Sequence, residues 1–169
     1  MYNVIVADDE KNIREGIVEL IEWEKLGCKV CASMQNGAQV LKYLEEEKIH
    51  VDIIITDIKM PIMDGMELIG MLNERFPDIK VIILTAYSDF TYAQQAIKFQ
   101  VSDFVVKNDF FLELPRAVKK IIEQCEVDAK KCVGREKEIP FFQGEACRVC
   151  ACDCLLYTSP SPRDRQKSR

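Results

Sequence analysis

The carboxylate of Asp57 ends an aliphatic run, "VDIIITD", in which a buried strand would gain nothing from a terminal charge. Other apolar runs also end in polar side chains that could do chemistry: Asp8, Asp9, Thr85 and Lys107. Together these residues supply three carboxylates, one hydroxyl and one amine. A folded core does not need this set, so we looked for a reaction that does.

Three carboxylates held close together repel one another, and a hard dication with oxygen ligands such as Mg²⁺ relieves that repulsion. An aspartate beside the ion can attack an activated phosphoryl group and form an aspartyl phosphate. Phosphoryl transfer depends on positioning and charge neutralisation, to which Mg²⁺ and the ammonium of Lys107 would contribute. The residue types therefore indicate Mg²⁺-assisted phosphoryl transfer to Asp57.

The elements that must bring these residues together alternate regularly through about residue 124. Apolar runs predict strands at 4–7, 28–34, 51–57, 81–85 and 102–107, and amphipathic patterns predict a helix after each. Asn36-Gly37 and Asp64-Gly65 mark helix starts, and Leu68, Met71 and Leu72 are predicted to face inward. Such alternation is typical of a doubly wound α/β domain with a parallel sheet, whose ligands bind beyond the carboxyl ends of the strands.

Four segments resemble the receiver domain of two-component response regulators: "VADDE", "IIITDIKMPIMDGMEL", "VIILTAYSDFTYAQQAI" and "VSDFVVK". The resemblance covers residues 1–124, and it implies a flavodoxin-like (βα)5 fold with a five-stranded sheet in the order 2-1-3-4-5. "IEWEKLG" and "TAYSDFTYAQQAIKF" further resemble receivers that precede an arabinose-regulator type of helix-turn-helix output domain.

The resemblance also implies roles for individual residues. Asp57 would be the phosphoacceptor, and the carboxylates of Asp9 and Asp57 would bind Mg²⁺ with the backbone carbonyl of Lys59. Asp8 would support the water shell of the metal. Thr85 would donate a hydrogen bond to the phosphoryl group, and Lys107 would pair with it; Phe104 matches the position of an aromatic switch coupled to Thr85.

The implied function is a signalling switch that is not a turnover enzyme. A sensor histidine kinase would donate the phosphoryl group, and the surface of the fourth predicted helix, the fifth strand and the last helix would change shape. Phosphorylation-dependent dimerisation is a further expectation, with DNA contacted only through a missing output domain. The alternative is a receiver-like binding module that accepts no phosphate. A haloacid dehalogenase phosphatase is disfavoured because Lys59 stands where that class has a second acid.

One position departs from the receiver pattern. Receivers commonly follow the site lysine with a cis proline, but here Asn108 follows Lys107. A cis peptide bond before a residue other than proline costs about 2.5 to 4 kcal/mol. The sequence therefore predicts either a trans bond with a rearranged loop or a strained cis bond.

Composition favours a cytoplasmic protein that does not contact membranes or nucleic acid directly. No stretch approaches the roughly 18 apolar residues of a membrane span, and Met1-Tyr2-Asn3 lacks the basic start of a secretory signal. A net charge of −5 disfavours a polyanion-binding surface.

The cysteines have structural interpretations. Cys28 and Cys31 lie inside a predicted strand, where a C-x-x-C redox motif does not belong, and are expected to be small buried side chains. A zinc site is disfavoured because the spacing of the candidate ligands is tighter than usual; these are Cys147, Cys150, Cys152 and Cys154.

The C-terminal region follows no helix or strand pattern. Residues 125–153 are predicted to be a disordered linker or frame-shifted tail. "CLLYTSPSPRD", residues 154–164, can be back-translated into a transposase-type sequencing adapter, so residues 154–169 are predicted to be an adapter-derived artefact.

Overall fold

A parallel sheet of five strands dominates the computed structural model, which describes residues 1–47, 49–86 and 101–135, with the backbone alone over 128–135. Within those ranges the strand order is β2-β1-β3-β4-β5, and every neighbouring pair is parallel. The predicted doubly wound α/β fold and its strand order are confirmed. The strands are β1 (Tyr2–Ala7), β2 (Cys28–Met34), β3 (Ile53–Asp57), β4 (Lys80–Thr85) and β5 (Asp103–Val106).

Helices follow the strands along the described parts of the chain. They are α1 (Lys11–Leu20), α2 (Gly37–Glu46), α3 (Gly65–Arg75) and a C-terminal helix (Phe110–Arg135), with short 3₁₀ helices at Trp23–Leu26 and Lys107–Asp109. The predicted fourth helix, residues 88–99, lies outside the described residues. Among the helices that are described, none combines the length and apolar content needed to cross a membrane.

The sheet is buried on both faces, as its aliphatic strands require. Ile54 of β3 and Ile83 of β4 pack with Leu68 and Leu72 of α3 in one cluster that is almost free of solvent. Side chains alternate between faces along a strand, so Ile53 and Ile55 point the other way, and they are equally buried. The sheet is therefore a rigid base whose carboxyl edge can hold polar side chains at fixed spacings.

Side-chain hydrogen bonds cap the N-termini of α2 and α3. Asn36 Oδ1 accepts a hydrogen bond from Gln39 N at 3.0 Å. Asp64 Oδ1 accepts one from Glu67 N at 2.8 Å, and the Glu67 side chain returns to Asp64 N, completing a capping box. The predicted starts after Asn36 and Asp64 are confirmed.

Two details differ from the sequence-based expectation. Met71 is 38% exposed, and Ile69 is buried in its place, because positions 68, 69 and 72 form the inward stripe of α3. The C-terminal helix continues to Arg135, so the predicted linker beginning at residue 125 starts inside a helix. Its segment "CEVDAKK" lacks an apolar periodicity but is rich in residues that favour helix. The chain divides into two units at Gln124, and the sheet belongs to the first.

Gly65 permits a close approach between α3 and the end of β3. Its N–H donates to Ile58 O at 2.8 Å, and a Cβ built on it would lie 2.0 Å from Asp57 O. The absence of a side chain at Gly65 thus allows the end of β3 and the start of α3 to meet.

We expect Gly65→Ala to lower the free energy of unfolding by roughly 3 kcal/mol, because the added methyl group meets backbone that cannot yield without shifting Asp57. Urea denaturation measures the change. Gly16→Ala is the matched control: its Cβ would meet Phe110 Cζ at an ordinary 3.6 Å, so the better helix propensity of alanine should stabilise α1 by about 0.5 to 1 kcal/mol. Equal effects of the two substitutions would contradict this account.

Candidate functional site

The register of the sheet brings the polar strand ends to one edge. Ala7 pairs with Thr56, so Asp8 follows β1 beside Asp57 at the end of β3. On the other side Asp57 pairs with Leu84, and Thr85 pairs with Val106. The winding reverses between β1 and β3, which is where open parallel sheets bind ligands.

Lys107 is at the centre of this edge. Its Nζ lies 2.8 Å from Asp57 Oδ2, 2.8 Å from Asp8 Oδ2 and 2.9 Å from Glu10 Oε1. Lys107, Asp8 and Asp57 are 7%, 0% and 6% exposed, whereas Glu10 reaches in from the surface. One buried ammonium therefore contacts three carboxylates that come from two loops.

The carboxylate of Asp57 is held at both oxygens. Oδ2 accepts a hydrogen bond from Lys107 Nζ, and Oδ1 accepts one from the backbone N–H of Ile58 at 2.6 Å. Ile58 O accepts a hydrogen bond from Gly65 N, so the start of α3 also holds the peptide that follows the Ile58 N–H. Asp57 is thus oriented by backbone, while its other contact is a flexible lysine.

The charges of the site do not balance. Burial lowers the pKa of Lys107, but its close contacts with the carboxylates of Asp57, Asp8 and Glu10 outweigh burial, so the pKa is raised and the ammonium persists. Burial raises the pKa of Asp8 more than the contact with Lys107 lowers it. The raised pKa values of Lys107 and Asp8 are consistent with each other. Three carboxylates stabilise the charge of one ammonium, whereas each carboxylate shares that ammonium with two others.

The environment of Asp8 Oδ2 indicates whether this site suits a metal ion. It is buried and, although it lies 2.8 Å from Lys107 Nζ, it has no hydrogen bond of acceptable geometry. Carboxylate oxygens of Asp8, Asp9 and Glu10 lie within 4.8 Å of one another. An unsatisfied oxygen in a cluster of hard ligands suits a dication such as Mg²⁺. The residues present therefore fit the predicted ion.

Two other predicted metal ligands line a cleft beside the end of β3. Asp9 and Lys59 line a cleft of about 580 Å³ together with Met60, Pro61 and Asp64. Both Asp9 and Lys59 are exposed, whereas Asp8 and Asp57 are buried. The cleft thus lies beside the end of β3, with Asp9 and Lys59 in its wall.

Thr85 and Phe104 lie on the adjacent strands. Thr85 is 4% exposed at the end of β4, and Phe104 is half-buried in β5, packed against the core cluster. No cis peptide bond occurs among the described residues, so the bond from Lys107 to Asn108 is trans. Of the two predicted alternatives for that bond, the trans one is present, and the chain turns directly into the 3₁₀ helix Lys107–Asp109.

Sequence reasoning missed two residues of this site. Glu10 was noted only as part of "DDE", yet it contacts Lys107. Arg14 lies on the inward side of α1 between Ile13 and Ile17. Its Nη1 donates to the backbone oxygens of Asp8 and Asp9, in the acidic loop formed by residues 8–10. A signal existed for both, since each follows Asp9 within about one and a half helical turns.

Cys28 and Cys31 lie within β2 as free thiols; Cys28 is buried, as the sequence predicts, whereas Cys31 is only half-buried. Burial, helped by Asp52, raises the pKa of Cys28 to about 11, and burial also raises the pKa of Cys31. Both thiols stay protonated near neutral pH, which makes them poor nucleophiles. The zinc candidates from Cys147 to Cys154 lie outside the described residues.

Residues 4–119 match the response regulator receiver domain family. The chain is 33% identical over 149 residues to the uncharacterized transcriptional regulatory protein YesN of Bacillus subtilis (strain 168), covering 86% of this chain and 40% of YesN. It is 30% identical over 128 residues to the transcriptional regulatory protein HptR of Staphylococcus aureus (strain NCTC 8325 / PS 47), covering 73% of this chain and 49% of HptR.

Among solved structures, the REC domain of AraT, a response regulator from Geobacillus stearothermophilus, is similar with a TM-score of 0.63 and 38% identity. That similarity covers 73% of this chain and 96% of the AraT domain. Fold and comparisons together define a receiver domain of a two-component response regulator. The chain belongs to the response regulator receiver family, and it spans less than half the length of YesN and HptR.

We expect Lys107→Met to lower the free energy of unfolding in metal-free buffer by about 3 kcal/mol, because it leaves two buried carboxylates without their cation. Adding Mg²⁺ should return part of this loss, since an ion that binds only the folded acids stabilises the fold. Urea denaturation with and without Mg²⁺ measures both effects.

Lys120→Met is the control, because Lys120 pairs with Asp103 on the surface at 3.0 Å and such pairs contribute about 1 kcal/mol or less. Wild-type stability for Lys107→Met in chelator would show that the ammonium does not hold the acids together.

We expect Asp8→Asn to stabilise the metal-free protein near neutral pH. The pKa of Asp8 is raised in the folded state, so its charged form opposes folding above that pKa. Below about pH 4 the carboxyl is protonated in both states, and the gain should vanish. Denaturation curves across this range, with the exposed Asp9→Asn as the control, test the sign. A gain that persists in acid would exclude burial of charge as its cause.

Proposed function

We propose that this receiver domain accepts a phosphoryl group on Asp57. The observation that carries the proposal is the contact of Asp57 Oδ2 with Lys107 Nζ at 2.8 Å, beside a buried acid whose Oδ2 lacks a hydrogen bond. A nucleophilic carboxylate, a fixed cation and hard oxygen ligands are the parts that phosphoryl transfer needs.

The donor in this proposal is a phosphohistidine of a sensor histidine kinase. A carboxylate oxygen of Asp57 attacks phosphorus, the new O–P bond forms, and the P–N bond breaks with its electron pair returning to the imidazole. Ile58 N–H holds the carboxylate in orientation, and Lys107 neutralises charge on the incoming group. The receiver supplies this self-catalysed step and the later hydrolysis, in which water attacks the aspartyl phosphate and inorganic phosphate leaves, without acting as a turnover enzyme.

The proposed metal ligands are the carboxylates of Asp9 and Asp57 and the backbone carbonyl of Lys59, with Asp8 supporting the water shell. Held by these residues, Mg²⁺ would supply positive charge that neutralises the phosphoryl oxygens. Glu10 is not one of these ligands. It competes with Asp57 for the ammonium of Lys107, because Glu10 Oε1 lies 2.9 Å from Lys107 Nζ. If Lys107 turned to the phosphoryl group, Glu10 and Asp8 would lose their share of the ammonium, and a bound dication would supply the positive charge they need.

The output of the switch runs through Thr85 and Phe104 in this proposal. Thr85 moves toward the phosphoryl group and donates a hydrogen bond, and the space it leaves lets Phe104 turn inward. β4 and β5 are directly paired, with Ile83 opposite Phe104 and Thr85 opposite Val106, so a shift at one strand end has a short path to the other. The surface of the fourth predicted helix, β5 and the C-terminal helix then changes shape.

The whole protein is proposed to be a cytoplasmic transcriptional regulator. YesN and HptR are both transcriptional regulatory proteins, and this chain spans only part of each. We propose residues 1–124 as the receiver, a linker over residues 125–153 that begins within the C-terminal helix, and an adapter-derived segment over 154–169. DNA would be contacted by a helix-turn-helix output domain, and phosphorylated receivers would pair with each other.

Incubation with acetyl phosphate and Mg²⁺ tests the phosphoacceptor. Wild type should gain one phosphoryl group that is stable in acid and labile in base, as measured by intact mass. Asp57→Asn should gain none, and Asp103→Asn, which changes a carboxylate at the other end of β5, should label like wild type. Chelation of Mg²⁺ should slow labelling by at least tenfold. Unlabelled wild type would favour a binding module that accepts no phosphate, and labelling of Asp57→Asn equal to that of wild type would show that another residue is the acceptor.

A further inference from the structure

Arg14 is an unusual buried charge next to the acidic loop. It is 8% exposed on α1, and its Nη1 donates to Asp8 O at 2.6 Å and to Asp9 O at 3.2 Å. Both bonds go to backbone oxygens of the two residues that carry the predicted metal-binding carboxylates. A buried guanidinium is costly unless it is well hydrogen-bonded, so packing alone does not explain this residue.

The helix geometry explains how Arg14 reaches the loop. Long side chains on a helix point toward its N-terminus, and Asp8 and Asp9 directly precede α1. Arg14 N also bonds to Glu10 O at 3.1 Å, which closes the first turn of α1 beneath the loop. The guanidinium and the loop are thus part of one short, self-contained structure.

The contacts of Arg14 constrain where the acids point. Holding the carbonyl oxygens of Asp8 and Asp9 fixes both peptide planes, and the direction of each Cα–Cβ bond follows from the backbone. Asp8 is thereby kept inward beside Lys107, and Asp9 is kept outward at the cleft that also borders Lys59. A second bond within the loop, from Glu10 N to Asp8 Oδ1 at 2.8 Å, depends on the same backbone course.

We propose that Arg14 is a positioning residue for the metal site: it holds the Asp8-Asp9 backbone in the conformation that binds Mg²⁺. This inference rests on the proposed function, because it assigns a support to that same site. Arg14 touches neither the reacting carboxylate nor the phosphoryl group, and it acts through the two acids. Its positive charge also offsets part of the repulsion among the carboxylates.

Calorimetric titration of the phosphate-free protein with MgCl₂ tests the proposal directly. Arg14→Gln should raise the Mg²⁺ dissociation constant by about tenfold, as is common when an outer support of a metal ligand is lost. Arg14→Lys, which keeps a charged donor, should recover part of that affinity. Arg75→Gln is the matched control: it removes the same charge from a half-exposed pair with Glu45 and should bind Mg²⁺ like wild type.

A second readout needs no metal. Amide hydrogen exchange of Glu10, measured by NMR in chelator, should speed up at least tenfold in Arg14→Gln and stay unchanged in Arg75→Gln, because only the first substitution frees the loop. In acetyl phosphate labelling, Arg14→Gln should need about tenfold more Mg²⁺ for half-maximal rate and should reach the wild-type rate at saturation. All variants are compared at a temperature where circular dichroism shows them folded.

The outcomes separate this inference from the proposed function. Wild-type Mg²⁺ affinity and wild-type Glu10 exchange in folded Arg14→Gln overturn the role of Arg14, even if Asp57 is labelled. Wild type that binds Mg²⁺ but takes no phosphoryl group overturns the proposed function, and the titration still decides the role of Arg14. If Arg14→Gln does not fold, Arg14→Lys decides: it must weaken Mg²⁺ binding relative to Arg75→Gln, or the inference fails.

Discussion

The site depends on one buried ammonium. Lys107 bonds to Glu10, 97 positions away in sequence, and to Asp57, 50 positions away, so a single side chain joins the ends of β1, β3 and β5. Opposite charges in a poorly solvated place attract strongly, but removing each from water costs much of that gain. The contact is therefore better understood as an arrangement for chemistry than as a source of stability.

The charge surplus gives the proposed switch a physical basis for responding to a ligand. With three carboxylates sharing one cation, burial already raises the pKa of Asp8, and the fold carries a cost that a dication relieves. A ligand shifts a conformational equilibrium only by as much as its affinity differs between the states. An ion or phosphoryl group would bind with different affinities to states in which Lys107 contacts different partners. The imbalance thus links binding at this edge to changes in the surrounding loops.

The sequence predicted the frame of the domain well and the supports of the site poorly. Strands and helix starts followed from aliphatic runs and from capping residues such as Asn36 and Asp64, because these signals are local. The approach of Asp8, Asp57 and Lys107 followed from the rule that parallel strands share a carboxyl edge. Glu10 and Arg14 were missed because their partners are defined by side-chain reach and by backbone oxygens, neither of which leaves a periodic pattern. The end of the C-terminal helix was missed because propensity continued after the apolar stripe had ended.

The loop between β3 and α3 shows how the site combines a fixed part with a movable one. Ile62 has a φ of 72° and is 84% exposed, and Met63 N bonds to Pro61 O at 2.8 Å across it, forming a γ-turn that a β-branched residue does not favour. Such strain persists only when the surroundings determine the backbone. Here Gly65 N bonds to Ile58 O and Gly37 N bonds to Met63 O, so the loop is tied to the sheet edge on one side and to α2 on the other. Asp57 therefore stands on a backbone that is fixed by hydrogen bonds, whereas its other partner is the long side chain of Lys107.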